Sequence, residues 1–160
     1  MEVSDLLTVD SVIAELRVAS KKQALQEMSR LAAKTTRLDE RAIFDTLLER
    51  ERLGTTGVGD GLAIPHGRLD GLDRIHGFFA RLEKPIDFES IDDRPVDLIF
   101  LLLAPEAAGA DHLKALARIS RLMRGPSFCE KLRGANNRDA LYALLAQSPE
   151  ANPAKLRAAG

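Results

Sequence analysis

The stretch "DLIFLLLAP", residues 97–105, is the part of this 160-residue chain that decides its fold. After its first residue it is a continuous apolar run of strand length, without alternation between apolar and polar side chains. A strand of this kind is covered on both faces, which in an open sheet is the central position between two layers of helices. The run therefore predicts a single three-layer α/β domain with this strand at the centre of its sheet.

Two amphipathic helices are predicted before the run, each with apolar residues at helical spacing. The first begins at Ser20 with a Ser-x-x-Gln capping pattern. The second lies between Asp39, its N-cap, and Gly54, its stop. Ahead of both helices, residues 12–18 are short and apolar enough to form an edge strand.

A long helix is predicted after the run, followed by two shorter helical segments. Gly109 or Asp111 opens the long helix, which we expect to be well buried. Its apolar stripe consists of Leu113, Leu116, Ile119, Leu122 and Met123. A turn of helix at residues 127–134 and a final helix capped by Asn137 complete the predicted fold.

Composition excludes several classes of protein. The chain is 45% hydrophobic and 29% charged with a formal net charge of −1, so neither a disordered chain nor a nucleic-acid binder is favoured. No apolar run approaches the roughly 20 residues of a membrane span, and we expect a cytoplasmic protein without membrane insertion. Residues 1–148 form the predicted domain, and the Ala- and Pro-rich residues 149–160 are expected to be a flexible tail.

A glycine-rich segment, "GTTGVGDG" at residues 54–61, carries four glycines in eight positions and is expected to be a loop. It leads into "LAIPH", interpreted as a short strand that Pro65 ends. His66 is then expected at the carboxyl edge of the sheet, where open α/β folds bind their ligands. A further strand is predicted at "RIHGFFARL", residues 74–82.

His66 is the leading candidate for chemistry because glycines and threonines surround it. Backbone without a Cβ can approach a ligand closely, and its N–H groups can form an anion-binding nest, to which threonine hydroxyls add donors. The predicted phosphate-binding residues are Thr55, Thr56, Gly57, Gly59 and Gly67. The alternative is an ordinary histidine at the end of a strand, with glycines that only make a turn.

Two further residues are expected to join His66. His112 lies on the predicted first turn of the long helix, where the positive helix N-terminus lowers the pKa of an imidazole and keeps it neutral. Arg50, in the last turn of the second helix, can bring a guanidinium to the glycine-rich segment. Taken singly, each has a plainer interpretation as a polar or charged residue at a helix end. His76 and Cys129, the single cysteine, are interpreted as structural.

A neutral imidazole beside an arginine and backbone N–H groups suits the transfer of a phosphoryl group to nitrogen. Such transfer needs mainly positioning and charge stabilisation, so neither a metal nor a cofactor is expected. Other reaction classes lack their motifs, since there is no nucleotide P-loop, no nucleophile elbow and no H-E-x-x-H. A dinucleotide fingerprint is also disfavoured because Leu62 stands where its third glycine is needed.

The segment "RERLGTTGVGDGLAIPHGRL", residues 50–69, resembles the active-site segment of a bacterial family. This family is the fructose–mannitol type of enzyme IIA in the phosphoenolpyruvate phosphotransferase system, and the likeness is greatest to its nitrogen-type regulatory branch. The segments around residues 20–34, 85–105 and 111–123 follow in the order that the family shows. The resemblance implies a mixed central sheet between helices.

For the site, the resemblance implies that His66 accepts phosphate on Nε2 from an HPr-type phosphocarrier of the nitrogen branch. It places the family's second active-site histidine at His112 and its arginine at Arg50. With no permease or IIB segment in 160 residues, it favours a regulator whose phosphorylation state controls partner binding, since phosphate adds close to two negative charges. The alternatives are a sugar-transport IIA that supplies a separate IIB protein, and a non-catalytic interaction module.

Overall fold

The computed structural model describes residues 2–147, so the predicted tail at 149–160 lies outside the described residues. The strands are β1 Val12–Leu16, β2 Gly57–Gly59, β3 Leu62–Ala63, β4 His66–Leu69, β5 His76–Ile86 and β6 Val96–Pro105. The helices are α1 Lys21–Thr36, α2 Glu40–Leu53, α3 Ala110–Met123, α4 Pro126–Gly134 and α5 Arg138–Ala146. Within the described range, none of the helices is long and apolar enough to cross a membrane.

The apolar run forms β6, the central strand of a six-stranded mixed sheet. β5 pairs with β6 antiparallel on one side, and β3 and β4 pair with it parallel on the other. β1 extends the sheet beyond β5 as a parallel edge strand, and β2 pairs antiparallel with β3. Every residue from Leu98 to Ala104 is 0% exposed, which confirms the central position predicted for this strand.

Helices cover both faces of the sheet and enclose two separate cores. The even-numbered residues of β6 from Leu98 to Ala104 pack into a core with α3, α4 and α5. The odd-numbered residues from Ile99 to Leu103 pack into a second core with α1 and α2. This arrangement confirms the three-layer α/β architecture predicted from the sequence.

Several helix and strand boundaries also agree with their sequence signals. Ser20, Asp39 and Asn137 each accept a hydrogen bond from the backbone N–H three residues further on, so all three are N-caps as predicted. Gly109 precedes the first residue of α3, which decides between the two predicted openings of that helix. The predicted edge strand at residues 12–18 is β1, shortened to Val12–Leu16.

The glycine-rich segment is not a loop throughout, as the sequence had suggested. Gly57–Gly59 is β2, which forms a hairpin with β3. Asp60 and Gly61 make the turn with positive φ angles of 57° and 82°. Asp-Gly at the two central positions is a strong hairpin signal, because both residues tolerate the left-handed conformation that this turn needs. The loop prediction overlooked it.

β3 ends at Ala63, just before Ile64 and Pro65, as the sequence predicted, but strand pairing resumes at once in β4. β3 and β4 pair with β6 in one register, with Leu62 opposite Leu98 and His66 opposite Leu102. Pro65 lacks an N–H, but its carbonyl accepts a hydrogen bond of 3.0 Å from the N–H of Leu102. The interruption is therefore local, and His66 begins β4 instead of standing beyond the end of a strand.

The helices after β6 differ from the prediction in which residues of α3 are buried. Leu113, assigned to the buried stripe of α3, is 65% exposed, and His112 lies on the buried stripe in its place. A helix advances about 100° per residue, so His112, Ala115 and Ile119 share one face while Leu113 is turned away. α4 agrees with the helical segment predicted at residues 127–134, with Pro126 added at its first position, where proline is tolerated.

Replacing Leu101 by alanine is expected to lower the free energy of unfolding by about 2–5 kcal/mol. Leu101 is fully buried in the core between the sheet and helices α1 and α2, and the change leaves a cavity. Urea unfolding followed by circular dichroism measures this. Leu113→Ala is the matched control, since Leu113 is mostly exposed and its loss is expected to change stability by no more than about 0.5 kcal/mol. Equal losses for the two variants would contradict the assignment of the core.

Candidate active site

His66 lies half-buried at the start of β4, and its two ring nitrogens have different environments. Nδ1 is 3.0 Å from the backbone carbonyl of Ile64, a contact that requires a proton on Nδ1. Nε2 of the neutral ring is then unprotonated, and it accepts a hydrogen bond of 3.3 Å from Nε of Arg50. The ring therefore presents the lone pair on Nε2, with a guanidinium against it.

Arg50 is held at the end of α2 by a second contact, because its Nη1 donates to the carbonyl of Gly54 over 2.9 Å. The close packing of α2 on β4 brings Arg50 to His66. A Cβ at Gly67 would lie 2.8 Å from the methyl carbon of Thr46 in α2, so only glycine lets the helix and strand approach this closely. The structure thus gives Gly67 a packing role on the face of β4 opposite His66.

His112, buried in the first turn of α3, meets the ring of His66 edge to face, with ring centroids 5.7 Å apart. Its Nδ1 accepts a hydrogen bond of 3.0 Å from Nε of Arg68. Arg68 was not among the predicted site residues. Side chains alternate along a strand, so Arg68 lies on the same face as His66, and a prediction of β4 as a strand would have indicated it.

The pKa of both imidazoles is lowered. Burial lowers the pKa of His66 below 6.5, and the nearby Arg50 acts in the same direction, although the Ile64 carbonyl and the Glu51 carboxylate oppose them. Burial also lowers the pKa of His112 to about 4, with smaller contributions from His66 and Arg68. The predicted neutrality of His112 agrees with this direction, but its main cause is burial and not the helix N-terminus.

The hydroxyls of Thr55 and Thr56, expected to be donors for a ligand, already have partners inside the protein. Thr55 donates to a backbone carbonyl over 3.0 Å and accepts from the N–H of Gly57. Thr56 donates to the carboxylate of Glu51 through both its hydroxyl and its N–H. These bonds fix the connection between α2 and β2, so the threonines support the backbone next to the site and do not point their hydroxyls at a ligand.

Glu51 is a buried carboxylate that the sequence had not singled out. Besides Thr56, it binds Nζ of Lys21 at 2.7 Å, with side chains only 3% and 17% exposed respectively. A buried charge is stable only when it is paired and hydrogen-bonded, as here. The pair joins the start of α1 to the end of α2, next to Arg50.

Gly57 and Gly59 do not line the His66 site as predicted, because both belong to strand β2, which pairs with β3. A Cβ at Gly57 would lie 3.0 Å from Cα of Ser90, and one at Gly59 would lie 3.2 Å from a carboxylate oxygen of Asp92. An anion-binding nest needs successive residues that alternate between right-handed and left-handed helical conformations, which a paired strand does not provide. Close packing against Ser90 accounts for Gly57, and a φ of 105° accounts for the glycine at 59.

The remaining candidates have other partners. Nε2 of His76 lies 3.4 Å from the carboxylate of Asp73, and the thiol of Cys129 contacts the carbonyl of Met123 at 3.1 Å. Across residues 2–147, no three His, Cys, Asp or Glu side chains are grouped so as to hold a metal ion. The candidate site is thus two neutral imidazoles and two guanidiniums, a combination suited to accepting an anionic group on Nε2 of His66.

Comparison with known proteins identifies relatives that match nearly the whole chain. The family described as "Phosphoenolpyruvate-dependent sugar phosphotransferase system, EIIA 2" matches residues 5–148. A nitrogen regulatory protein of Bradyrhizobium diazoefficiens is 57% identical over 149 residues, which cover 93% of this chain and 97% of that protein. A fructose-specific EIIA component of Haloferax volcanii is 38% identical over 154 residues, covering 94% of this chain and 100% of the relative.

Solved structures show the same fold. The crystal structure of the nitrogen regulatory protein IIA-Ntr from Neisseria meningitidis superimposes with a TM-score of 0.85 at 34% identity. The match covers 89% of this chain and 98% of the Neisseria chain. The mixed sheet between two helical layers is therefore shared with a relative of known structure.

We expect His112 to titrate near pH 4 and His66 below 6.5, because burial disfavours their charged forms. An unfolded histidine titrates near 6.5, so between these values the unfolded chain binds more protons than the folded one. The free energy of unfolding therefore falls as the pH falls through this window. NMR titration of the ¹⁵N-labelled imidazoles measures the pKa values directly, and a pKa of His112 at or above about 6.5 would contradict the buried site.

Proposed function

The chain belongs to the EIIA 2 family of the phosphoenolpyruvate-dependent sugar phosphotransferase system, and on that premise we propose that His66 carries a phosphoryl group on Nε2. The observation that carries this proposal is the pair of contacts around the His66 ring. The Ile64 carbonyl holds the proton on Nδ1, and Arg50 contacts the lone pair on Nε2. His66, as the acceptor, is thus set up as a nucleophile before any donor arrives.

Transfer requires no proton to leave Nε2. The lone pair forms the new N–P bond while the N–P bond of the donor phosphohistidine breaks, and that electron pair returns to the donor ring. Positive charge developing on the His66 ring is stabilised by the Nδ1–H bond to the Ile64 carbonyl. Arg50, released from the lone pair, then pairs with the phosphoryl oxygens, a charge-assisted contact that favours the transition state.

The donor is proposed to be an HPr-type phosphocarrier protein of the nitrogen branch. Two apolar side chains close in the chain to site residues are exposed, Leu53 by 83% and Leu113 by 65%. Leu53 is one helical turn beyond Arg50, and Leu113 is next to His112, so apolar surface flanks the cationic centre. Apolar contacts around a charged centre suit docking of another protein better than capture of a small molecule.

The biological role is proposed to be regulation in the cytoplasm, with the phosphorylation state deciding which target protein binds. The relatives named nitrogen regulatory proteins support this reading. A phosphoryl group brings close to two negative charges to a surface that carries the two positive charges of Arg50 and Arg68, and so cancels most of the local positive charge. The second candidate is a sugar-transport IIA that passes phosphate to a separate IIB protein, which the fructose-specific relative favours.

Incubation with labelled phosphoenolpyruvate, the general phosphotransferase enzyme and an HPr-type carrier is expected to add one acid-labile phosphoryl group. His66→Ala should take up none, and Arg50→Gln should slow uptake about 100-fold through loss of charge stabilisation. His76→Gln is the control, because His76 is a histidine bound to Asp73 and is expected to leave uptake unchanged. Label on His66→Ala would show that another residue is the acceptor.

Capture of partners separates regulator from transporter. The phosphorylated protein and the His66→Ala variant, which stays unphosphorylated, are immobilised side by side and exposed to cell extract. We expect at least one non-transport protein to bind one form and not the other, since the charge at the site differs. Recovery of a sugar-specific IIB protein alone would favour the transport role and overturn regulation.

A further inference from the structure

We propose that Arg68 is a positioning residue that holds His112 in the tautomer with its proton on Nε2, so that this N–H can bind a phosphoryl oxygen. The inference rests on the proposed function of His66 as phosphoryl carrier. It concerns the hydrogen bonds to Nδ1 of the two imidazoles, which determine whether Nε2 of each ring carries a proton.

The tautomer of His112 follows from its contact with Arg68. Nε of Arg68 lies 3.0 Å from Nδ1 of His112, and a guanidinium offers only hydrogen-bond donors. Nδ1 must therefore be the acceptor, and the single proton of the neutral ring lies on Nε2. His66 has the opposite tautomer, because its Nδ1 faces a carbonyl. Of the two neighbouring rings, one thus presents a lone pair and the other an N–H.

Nε2 of His112 has no hydrogen-bond partner within residues 2–147, although the residue is only 5% exposed. Buried N–H groups are nearly always paired, and one left without a partner is unfavourable. The ring of His112 also lies against the ring that is proposed to carry the phosphoryl group. A phosphoryl oxygen is an acceptor that would satisfy this donor.

Arg68 is fixed at both ends of its guanidinium. While Nε holds His112, Nη2 donates to the carbonyl of Gly109 over 3.3 Å, and Gly109 is the residue before α3. One side chain of β4 thus ties down both the backbone at the start of α3 and the ring on its first turn. A lysine has a single nitrogen on a flexible chain and cannot reproduce the fixed geometry of these two bonds.

The test compares phosphoryl uptake by the unaltered protein, Arg68→Met, His112→Gln and the double variant. Arg68→Met is expected to slow uptake about 10-fold or more, by analogy with the loss seen when a metal-bound histidine loses its hydrogen-bond partner. If Arg68 acts through His112, its replacement has no further effect in the His112→Gln background. Additive losses would show that Arg68 contacts the phosphoryl group itself and would overturn the proposal.

Imidazole ¹⁵N spectra give a second readout that needs no phosphoryl transfer. In the unaltered protein Nδ1 of His112 should show the shift of an unprotonated acceptor, and in Arg68→Met the ring should exchange between tautomers or protonate at higher pH. Arg68→Lys should restore this signature only in part. Arg30→Met, at an exposed arginine of α1, is the control and should match the unaltered protein in both measurements.

The two ways of failing are distinguishable. Absence of uptake by the unaltered protein contradicts the proposed function, and with it the role of Nε2 of His112 in transfer. Normal uptake together with an unchanged His112 spectrum in Arg68→Met contradicts the positioning role alone.

Discussion

The parallel pairing of β4 with the central strand β6 is the constraint on which the candidate site depends. It sets His66 opposite Leu102 and, through the alternation of side chains, turns His66 and Arg68 towards α3 and Gly67 towards α2. A slip of one residue would reverse these faces and separate the imidazoles. Because β4 pairs with no second strand among residues 2–147, Arg50 can reach His66 past the edge of the sheet.

The chemistry of the site is decided by hydrogen bonds made behind the rings. A carbonyl takes the proton of His66 to Nδ1, and the Arg68 guanidinium places the proton of His112 on Nε2. Both histidines are neutral, but His66 thereby becomes a nucleophile and His112 a hydrogen-bond donor. The buried Glu51 carboxylate supports the site without contacting the rings, because its bonds to Thr56 fix the chain between Arg50 and β2.

Features of the sequence that act locally predicted their structure well. Caps such as Ser20 and Asp39 bond within one helical turn, and the apolar run of β6 needs no knowledge of its neighbours. Arg50 and His112 were also predicted to lie beside His66, and each of them contacts its ring. The roles of Gly57 and Thr55 depend on partners far along the chain, Ser90 and the Phe88 carbonyl respectively, which no local pattern specifies. Arg68 was missed for a related reason. Its position beside His112 depends on β4 pairing with β6 in the same register as β3, on the far side of Pro65.

The division of the molecule into two cores has a consequence for assembly. Arg50 belongs to the layer of α1 and α2, and His112 to the layer of α3, α4 and α5, with the sheet between them. Neither layer alone surrounds the His66 ring. The complete site therefore needs both layers packed on the sheet, because one layer supplies the Arg50 guanidinium and the other supplies the His112 ring.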